Sequence, residues 1–545
     1  MKIISTALFF ALVCFSFLPT KAQFKQIAEG PKFDEPEEGF AKILQMKNGN
    51  TFYIHITPKD GINIRVYDAN HKEKAVKTIS PAYESLDKKD DVRGIFEMNN
   101  DVVVFVNRDD DGDKLPRLHR MIFDGTSGNL KKQQIISIGK YTWRNRPFTT
   151  DPIIFFNIRK DPDSDNYALV NYDETEKDNT KRIEIVHYGS DHNEISRKFC
   201  FLADAKEAVS YFKDMIVLGS EKVCVLVDFY WKGERKQAGQ SKTMMAISEK
   251  GKTLVDFIEM KIPNNLRGRW MTRYNTVSKK ILCFLIAQTS SSIDRTGYGT
   301  LLFLTDPVAK SVAPLPDLKH SEKLHKGFKE IIDEKDFYEG LPQNIVVNDD
   351  GSFTVLNEEM TMITSSNGNG TNLGTLAVST YDINGNLKSD YLIPKSHWVQ
   401  SFNQLQPFYL AEREMAAQPL LKGNQYKSFV FINGTKNNYV LFNDTERNND
   451  IVHAKKGARF GSDTKSKLVR VMGMTGDCDA FMYKLTGDDV LPKREYLFGE
   501  MEKGHALALL TISDYKKKNN TYATLMLDKS NTRTKMVSVV WQTPD

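Results

Sequence analysis

Short apolar runs alternate with polar turns along most of the chain, a pattern typical of antiparallel strands joined by hairpins. One unit recurs: an alternating apolar strand, a polar turn that carries Asp, Asn or Gly, and a second short strand. Asn and Gly tolerate the positive φ that a tight turn between twisted strands requires, so each copy predicts a β-hairpin. The copies begin at Ile64, Met121, Ile185, Met245, Phe303, Ser379, Phe481 and Leu525.

Two further strands precede most of these hairpins. Residues 93–98 and 101–106 precede the second copy, and residues 270–274 and 281–286 precede the fifth. Each unit is therefore predicted to be a four-stranded antiparallel meander, with strands a, b, c and d in chain order. The b strands are almost wholly apolar, which is expected when neighbouring sheets cover both of their faces.

A solitary sheet of this kind cannot bury both faces, whereas sheets stacked radially around an axis can, and they also protect their edges. The sequence thus predicts an all-β fold: one β-propeller of seven or eight four-stranded antiparallel blades over residues 23–545. The last unit lacks one strand, which the segment around residues 24–28 could supply to close the ring. A tandem of β-sandwiches is the alternative, and its weakness is that no Pro-, Gly- or Ser-rich linker separates the units.

Three insertions into the propeller are expected, around residues 317–341, 394–425 and 445–477. The first has helical composition and spacing over residues 321–338, and it is the one short helix that the sequence predicts. Its apolar face consists of Leu324, Phe328, Ile331 and Ile332.

The first 22 residues have the three parts of an export signal. Met1 and Lys2 form a short basic region, residues 3–18 form an uncharged apolar run, and Thr20 and Ala22 stand at positions −3 and −1 of a cleavage site. This arrangement predicts a cleaved signal peptide, and therefore a periplasmic or extracellular protein. No later segment is long and apolar enough to span a bilayer, so no transmembrane segment is expected in the mature chain.

Removal of Lys2 and Lys21 with the signal lowers the formal charge from +5 to +3, and both signs are mixed along the chain. So small a charge does not predict binding to nucleic acid or to a membrane surface. The cysteines of the mature chain lie in apolar runs without the spacing of a metal or redox motif. Buried free thiols are predicted, with a Cys200–Cys224 disulfide as the alternative. The four residues are Cys200, Cys224, Cys283 and Cys478.

The sequence lacks the motifs of nucleophile elbows, zinc metalloproteases, P-loops and dinucleotide-binding folds, and it also lacks the WD, kelch and sialidase signatures of known propellers. It resembles secreted, β-propeller-like repeat proteins of bacteria. The shared features are a signal that ends in Ala-Gln, the repeated meander, and the segment Phe442-Asn443-Asp444 with Arg447-Asn448. The resemblance covers the whole chain loosely and implies an exported propeller, but it implies no activity.

The first residues of two acidic loops resemble the beginning of a calcium-binding loop. Side chains that carry oxygen stand at alternate positions, and a residue that tolerates a left-handed turn follows them. Ca²⁺ requires six to eight hard oxygen ligands, and such a turn can converge three of them. Neither loop has the later bidentate Glu, because Leu118 and Tyr172 stand at that position. Calcium binding is one hypothesis for these loops, and a solvated acidic turn is the other. The candidate ligands are Asn107, Asp109 and Asp111 in the first loop and Asp161, Asp163 and Asp165 in the second.

In a propeller the b–c and d–a connections emerge on the same face, around the mouth of the central channel. Here several b strands end in Asn or Asp, and several d–a connections contain aromatic residues beside Arg. Such side chains suit a glycan or an acidic peptide, although Asn and Asp also satisfy turns and loop tryptophans also pack over blade ends. The predicted ligand-binding residues are Tyr141, Trp143, Arg144, Arg146, Asp228, Arg269, Trp270, Trp398, Asn443 and Asp444.

These features favour an exported binding or scaffold protein that uses this loop face to hold a glycan, a peptide or another protein of the cell envelope. The alternative is a carbohydrate-active hydrolase or lyase, with carboxylates such as Asp228 and Asp444 in the channel mouth. A purely structural role without a ligand is the third possibility. Two or three carboxylates that converge in the channel would favour the enzyme, and an apolar or aromatic and basic mouth without such a pair would favour binding.

Overall fold

The structure is a computed structural model, and it describes residues 24–57, 60–79, 91–109, 115–139, 156–231, 240–263, 266, 268–288, 298–331, 337–365, 368–400, 417, 420, 425–448, 468–474, 476–499, 506–528 and 535–544. Within these ranges the chain forms eight antiparallel sheets. The first strands of neighbouring sheets contact one another around a common axis, so the sheets are the blades of an eight-bladed β-propeller. The propeller prediction is confirmed, with eight rather than seven blades, and the tandem of sandwiches is excluded.

Two N-terminal strands, β1 (Lys25–Glu29) and β2 (Phe33–Asp34), precede the first blade. The strands of blades 1 to 4 follow chain order from a to d. They are β3 (Phe40–Gln45), β4 (Thr51–Thr57), β5 (Gly61–Tyr67) and β6 (Glu73–Ile79); β7 (Asp91–Met98), β8 (Asp101–Asp109), β9 (Pro116–Phe123) and β10 (Leu130–Ile138); β11 (Phe156–Lys160), β12 (Tyr167–Tyr172), β13 (Ile183–Tyr188) and β14 (Glu194–Phe199); and β15 (Val209–Leu218), β16 (Lys222–Trp231), β17 (Gln240–Glu249) and β18 (Asp256–Met260).

Blades 5 to 7 repeat this order, and blade 8 takes its fourth strand from the N-terminal end. Their strands are β19 (Gly268–Asn275), β20 (Lys280–Gln288), β21 (Tyr298–Asp306) and β22 (Ser311–Pro314); β23 (Leu341–Val347), β24 (Phe353–Ser365), β25 (Gly368–Tyr381) and β26 (Leu387–Ile393), with β27 (His397–Gln400) added to β25; β28 (Val430–Asn433), β29 (Asn438–Thr445), β30 (Cys478–Leu485) and β31 (Arg494–Tyr496); and β32 (Ala506–Lys516), β33 (Thr521–Asp528) and β34 (Met536–Thr543). Helix α1 (Glu322–Ile331) lies between β22 and β23.

Strand β1 closes the ring as the outer strand of blade 8. It pairs antiparallel with β34, from Lys25 opposite Thr543 to Glu29 opposite Val540. Strand β2 pairs with the beginning of the same strand. The two ends of the described chain are thus hydrogen-bonded within one sheet, and the prediction that residues 24–28 complete the last unit is confirmed.

The b strands are apolar on both faces because each blade lies between two others. In β8, Val102, Val104 and Val106 pack in the core shared with blade 1, whereas Val103 and Phe105 pack in the core shared with blade 3. Successive side chains of a strand point to opposite faces, so a strand buried on both sides needs apolar residues at every position.

Aspartates at the c–d turns fix the hairpins that the repeat predicts. Asp68 Oδ1 accepts hydrogen bonds from the backbone N–H groups of Asn70 and Lys72, both at 2.9 Å. Asp382 accepts two such bonds in blade 6, and both are Asx turns. In blade 2 the turn requires Gly128, whose φ is +72° and where a Cβ would come within 2.9 Å of a valine methyl group.

The eighth copy forms an antiparallel hairpin, as predicted, but it joins strands b and c of its blade and not strands c and d. Leu525 lies in β33, which is the b strand of blade 8, and Asp528 at the end of this strand forms an ion pair with Lys32 at 2.8 Å. An apolar strand that ends in Asp looks the same in a b strand and in a c strand. The pattern alone therefore could not show that the last blade takes its d strand from the other end of the chain.

The connections give the ring two different sides. The a–b turns contain two to six residues, and together with the c–d turns they form what we call the turn side. The b–c and d–a connections form the loop side, where all three predicted insertions lie. Helix α1 belongs to the first insertion and buries Leu324, Phe328 and Ile331 against blade 6, as predicted; Ile332 lies outside the described residues.

The cysteines predicted to be buried are free thiols in the cores between blades. Burial raises the pKa of Cys224 and of Cys283 to about 12, so neither is a reactive thiolate. Among the helices that the structure describes, none is long and apolar enough to cross a membrane.

Candidate functional site

Asp228 was predicted to end the b strand of blade 4, but β16 continues for three more residues to Trp231, and the Asp228 carboxylate has its partners within its own sheet. It lies 3.1 Å from Lys213 Nζ and accepts a hydrogen bond from Thr243 Oγ1 of the adjacent strand. The residue is 7% exposed. These two partners hold the carboxylate in place between strands rather than in a loop.

Asn443 and Asp444 end the b strand of blade 7 and are fully buried. The Asn443 amide exchanges two hydrogen bonds with the backbone of Ala508 in the next blade, at 2.8 and 2.9 Å. Asp444 Oδ2 accepts a hydrogen bond from Arg494 Nη1 at 2.7 Å. Both side chains join parts of the fold, and a ligand would reach neither of them without a rearrangement.

The predicted aromatic and basic residues occupy different surroundings. Arg269 is exposed at the loop-side end of the inner strand β19, whereas Trp270 is 7% exposed and packs in the core between blades 4 and 5. Trp398 is half-buried in β27, where its indole covers Gly370 so closely that a Cβ there would lie 2.3 Å from the ring. The remaining predicted ligand-binding residues lie outside the described ranges, so their role stays a prediction. These are Tyr141, Trp143, Arg144 and Arg146.

The second acidic loop is the a–b turn of blade 3, and its carboxylates meet nitrogen donors from three blades. Asp161 Oδ2 accepts a hydrogen bond from the backbone N–H of Gly219 at 3.1 Å, and its Oδ1 accepts one from the N–H of Asp163 at 3.3 Å. Asp165 Oδ1 lies 3.0 Å from Lys47 Nζ and 3.2 Å from Lys160 Nζ. These contacts connect the turn of blade 3 with the turns of blades 1 and 4.

In the first acidic loop, Asn107 and Asp109 lie at the end of β8, and Asp111 lies outside the described residues. Within the described ranges, no three His, Cys, Asp or Glu side chains converge as ligands for a metal ion. Calcium binding by either loop stays a prediction.

The insertion at residues 394–425 contacts the N-terminal part of the propeller through residues that the structure describes. It leaves blade 6 and returns to blade 7, yet the N–H of Leu420 donates to the carbonyl of Gly39 in blade 1 at 2.7 Å. Gln425 Nε2 donates to Glu35 Oε1 at 3.0 Å. Ala417 lines a cavity in the channel itself. The described residues Ala417, Leu420 and Gln425 therefore lie beside the N-terminal part of the propeller as well.

The channel near the turn side is lined by a ring of side chains, one from each blade. They stand two positions before the residue that closes each a–b turn, so they occupy equivalent positions of the eight inner strands. Seven of the eight line one of two cavities. We call this set the channel ring, and its members are Leu44, Phe96, Arg159, Ile216, Arg273, Val346, Phe431 and Asp514.

The two cavities meet at Val346, which lines both. The first has a volume of about 370 Å³ and lies beside blades 1, 6, 7 and 8. The second has about 380 Å³, lies beside blades 2 to 6, and includes the turn residues Pro162, Thr276 and Asp349, so it is at the turn side. Both volumes are in the range of binding sites for small molecules.

Arg159 of the channel ring is held by a carboxylate from the next blade. Its Nη2 lies 3.0 Å from Asp214 Oδ1. The other carboxylate oxygen accepts hydrogen bonds from Thr272 in blade 5, at 2.7 Å from the backbone N–H and at 3.0 Å from Oγ1. Asp214 stands at a bulge in β15, and this irregularity turns its side chain toward the neighbouring blades.

Arg273 repeats this arrangement two blades further on, but its partner is an amide. Its Nη2 donates to Asn344 Oδ1 at 2.7 Å, and Asn344 stands at a bulge in β23. The Nε group donates to the carbonyl of Ile345 at 3.2 Å, and Nη1 donates to the carbonyl of Thr272 at 3.0 Å. These hydrogen bonds fix the guanidinium plane in the wall of the second cavity.

Asp514 supplies the carboxylate of the channel ring, in the blade opposite blade 4. Its Oδ2 accepts a hydrogen bond from the backbone N–H of Gln45 at 2.8 Å, and burial raises its pKa above the ordinary value. The second cavity has the carboxylate of Asp349 at its rim, 2.8 Å from Lys517 Nζ. Among the described lining residues, therefore, neither cavity contains two carboxylates.

The sequence did not reveal the channel ring because its members come from eight strands spread over most of the chain. Each one looks like an ordinary polar or apolar position of a short strand. The signal that could have found them is the turn: when the a strands are aligned on their a–b turns, Arg159 and Arg273 fall at the same position.

Several solved structures resemble this chain. An ulvan lyase from a new family of polysaccharide lyases has 10% identity and a TM-score of 0.38, over 86% of this chain and 98% of that chain. The polysaccharide lyase Uly1 has 9% identity and a TM-score of 0.34, over 86% and 93% of the two chains. The WD40 domain of SCAP from fission yeast has 9% identity and a TM-score of 0.33, over 94% and 98%. Likeness of this degree says nothing about what this chain binds or catalyses.

No known protein family matches the sequence, and no curated protein matches it either.

Proposed function

We propose that this chain is an exported binding protein that holds a small ligand in the central channel, at the turn side. The observation that carries the proposal is the channel ring beside a cavity of about 380 Å³. The interior of a small closed barrel is filled by side chains, whereas this channel keeps a cavity. Here two arginines fixed by hydrogen bonds line the cavity beside Phe96 and Ile216, which is the mixture typical of a ligand site.

Binding is favoured over hydrolysis by the distribution of carboxylates. Glycoside hydrolysis generally uses two carboxyl groups on either side of the scissile bond. Asp228 and Asp444, the two candidates from the sequence, are buried against Lys213 and Arg494. Each described cavity has a single carboxylate among its lining residues. Export rests on the signal-like first 22 residues.

The test compares two valine substitutions. Val346→Trp places an indole where the two cavities meet, whereas Val76→Trp, on the outer strand of blade 1 and 54% exposed, is the matched control. The purified proteins are screened by calorimetry against neutral and acidic oligosaccharides and short peptides. We expect the unaltered protein and Val76→Trp to bind the same compounds, and Val346→Trp to lose them while it keeps its melting temperature.

Two results would count against the proposal. Equal binding by Val346→Trp would place the ligand outside the channel, for example on the loop side predicted from the sequence. New reducing ends or unsaturated sugars in the incubated oligosaccharides would instead support the hydrolase or lyase alternative.

A further inference from the structure

The two cavities of the channel share part of their walls. Val346 lines both of them, and Asn433 of the first cavity donates a hydrogen bond to Asn348 Oδ1 of the second at 3.3 Å. Their volumes are similar, about 370 and 380 Å³. An elongated ligand that passes Val346 therefore contacts both cavities.

The inner strand of blade 8 is irregular where it lines the first cavity. Between Ala508 and Ser513, five positions of β32 correspond to two positions of β33, so residues 509–512 stand opposite Leu525 alone. The bulges in the inner strands β7, β15 and β23 each contain a single extra residue. Bulges are frequent next to active sites, where they change the direction of side chains.

The bulge in β32 contains a buried hydroxyl group without a partner. Leu510 and Ile512 are 1% and 0% exposed and pack in the cores on either side of blade 8, whereas Thr511 lines the first cavity. Thr511 Oγ1 is buried and makes no hydrogen bond within the described ranges. Buried polar groups in native proteins nearly always have a partner. A hydroxyl group of a ligand would supply one, because it both donates and accepts.

The charged side chains among the described lining residues already have partners in the protein. Three of them form ion pairs: Arg159 with Asp214 at 3.0 Å, Lys160 with Asp165 at 3.2 Å, and Asp349 with Lys517 at 2.8 Å. Arg273 and Lys42 donate hydrogen bonds to backbone carbonyls, and Asp514 accepts one from a backbone N–H. A ligand therefore does not have to supply a charge to satisfy these groups.

The other lining residues combine neutral polar groups with aromatic rings. They include Asn433, Thr511 and Ser513 beside Phe431 and Tyr515 in the first cavity, and Thr276 and Asn348 beside Phe96 and Tyr274 in the second. A sugar ring has hydroxyl groups at its edge and C–H groups on its faces. The neutral polar groups suit the former, and the aromatic rings suit the latter.

We propose that the ligand is a short, uncharged oligosaccharide that occupies both cavities, with one of its hydroxyl groups bound to Thr511. This inference rests on the proposed function and deepens it by naming the class of ligand and a residue that contacts it.

The first experiment measures the effect of ligand length by calorimetry. Cellotetraose, maltotetraose, mannotetraose and xylotetraose are each compared with their own monosaccharide. We expect at least one tetrasaccharide to bind, and its monosaccharide to bind at least about tenfold more weakly, because a single sugar ring does not reach both cavities.

The second experiment removes the hydroxyl group of Thr511. Thr511→Val keeps the shape of the side chain and should weaken binding of the tetrasaccharide by about 3- to 10-fold. Its melting temperature should stay the same or rise, because a buried hydroxyl without a partner is lost. Thr511→Ser keeps the hydroxyl group and should keep the affinity. Thr78→Val, on the outer strand of blade 1 and exposed, is the matched control and should bind like the unaltered protein.

Three results would overturn the inference: no binding of any of the four tetrasaccharides at millimolar concentration, equal affinity for a tetrasaccharide and its monosaccharide, or equal affinity of Thr511→Val and the unaltered protein. Failure of the proposed function looks different. A peptide or acidic oligosaccharide that binds and is lost in Val346→Trp would support the channel as a binding site, although the ligand class is wrong. A tetrasaccharide that Val346→Trp still binds would contradict the channel site itself.

Discussion

The channel ring and a charged cluster between blades 6 and 7 both place ionised groups inside the propeller, but their surroundings differ. In the cluster, Lys395 Nζ lies 2.6 Å from Glu358 Oε1, and Arg494 Nη1 lies 2.7 Å from Asp444 Oδ2. The side chains of Lys395, Glu358 and Asp444 have no exposed surface. In the channel ring, Arg159 is 24% exposed and lines a cavity.

His397 belongs to the same charged cluster, with Nε2 at 3.9 Å from Asp444 Oδ1. Burial, together with the nearby charge of Lys395, holds the pKa of His397 well below its usual value, so the imidazole is neutral. The cluster connects the b strand of blade 6, the insertion that leaves this blade, and two strands of blade 7.

This difference distinguishes charged groups that stabilise the fold from charged groups that are available to bind a ligand. Charges that are sealed from solvent must be satisfied by one another, and removal of one partner leaves a buried charge uncompensated. A charged side chain that faces a cavity contacts solvent, and a ligand can replace that solvent. We therefore assign the charged cluster to stability and the channel ring to binding, and three predictions test this assignment from the largest expected effect to the smallest.

The largest effect is expected for Lys395→Met, which leaves the Glu358 carboxylate buried without its ammonium partner. The free energy of unfolding should fall by about 3–5 kcal/mol, measured by denaturant titration, while binding in the channel is retained. The double variant Lys395→Met/Glu358→Leu should recover most of the loss, because neither charge of this pair is then left without the other. Lys388→Met is the control; its ion pair with Asp350 is exposed, and a loss below about 1 kcal/mol is expected. A loss as small as that of the control would contradict the assignment.

A smaller, pH-dependent effect is expected for Asp444→Asn. Burial raises the pKa of Asp444 to about 6 in the folded protein. The positive charge of Arg494 acts in the opposite direction, but its effect on the pKa is smaller than that of burial. Between pH 4 and pH 6 the folded protein therefore keeps a proton on Asp444 that the unfolded chain has already released. The stability gained from this proton is complete below pH 4 and is lost as the pH rises through 6. The stability of the unaltered protein relative to Asp444→Asn should fall by about 2–3 kcal/mol between pH 4 and pH 7. A constant difference would mean that Arg494 keeps Asp444 ionised throughout.

The smallest effect is expected for Asp514→Asn in the channel ring. Loss of this carboxylate removes a repulsion toward an anionic ligand in the channel, so the affinity for any acidic oligosaccharide that binds there should rise by about 0.5 kcal/mol. The control is Glu330→Gln, on the exposed side of helix α1, which should change nothing. Weaker binding of that oligosaccharide by Asp514→Asn would show that Asp514 itself contacts the ligand.

The fold could be predicted because patterns over a few consecutive residues specify its strands and turns. An apolar b strand such as β8 indicates that neighbouring sheets cover both of its faces. The Asx turns at Asp68 and Asp382 indicate hairpins from a few consecutive residues. The last unit lacked one strand in the sequence, and this gap indicated that β1 completes the sheet. At Leu525 the pattern predicted the hairpin but not its place in the blade, because a b strand and a c strand have the same local signature.

The candidate site was less predictable, because proximity to a strand end does not reveal where a side chain points. Asn443 and Asp444 do end a b strand, yet they are turned into the fold, where Ala508 and Arg494 bind them. The sequence also directed attention to the loop side, whereas the described cavities of the channel reach the turn side.

The sequence by itself determined the repeating meander, the apolar interior of each blade and the turn chemistry, because strand periodicity and turn preferences act over a few residues. Only the tertiary structure decided that there are eight blades and that Arg159, Arg273 and Asp514 share one channel ring. Their meeting depends on the closure of the ring and on bulges at Asp214 and Asn344. Such contacts join residues hundreds of positions apart, and the pattern within any single strand contains no information about them.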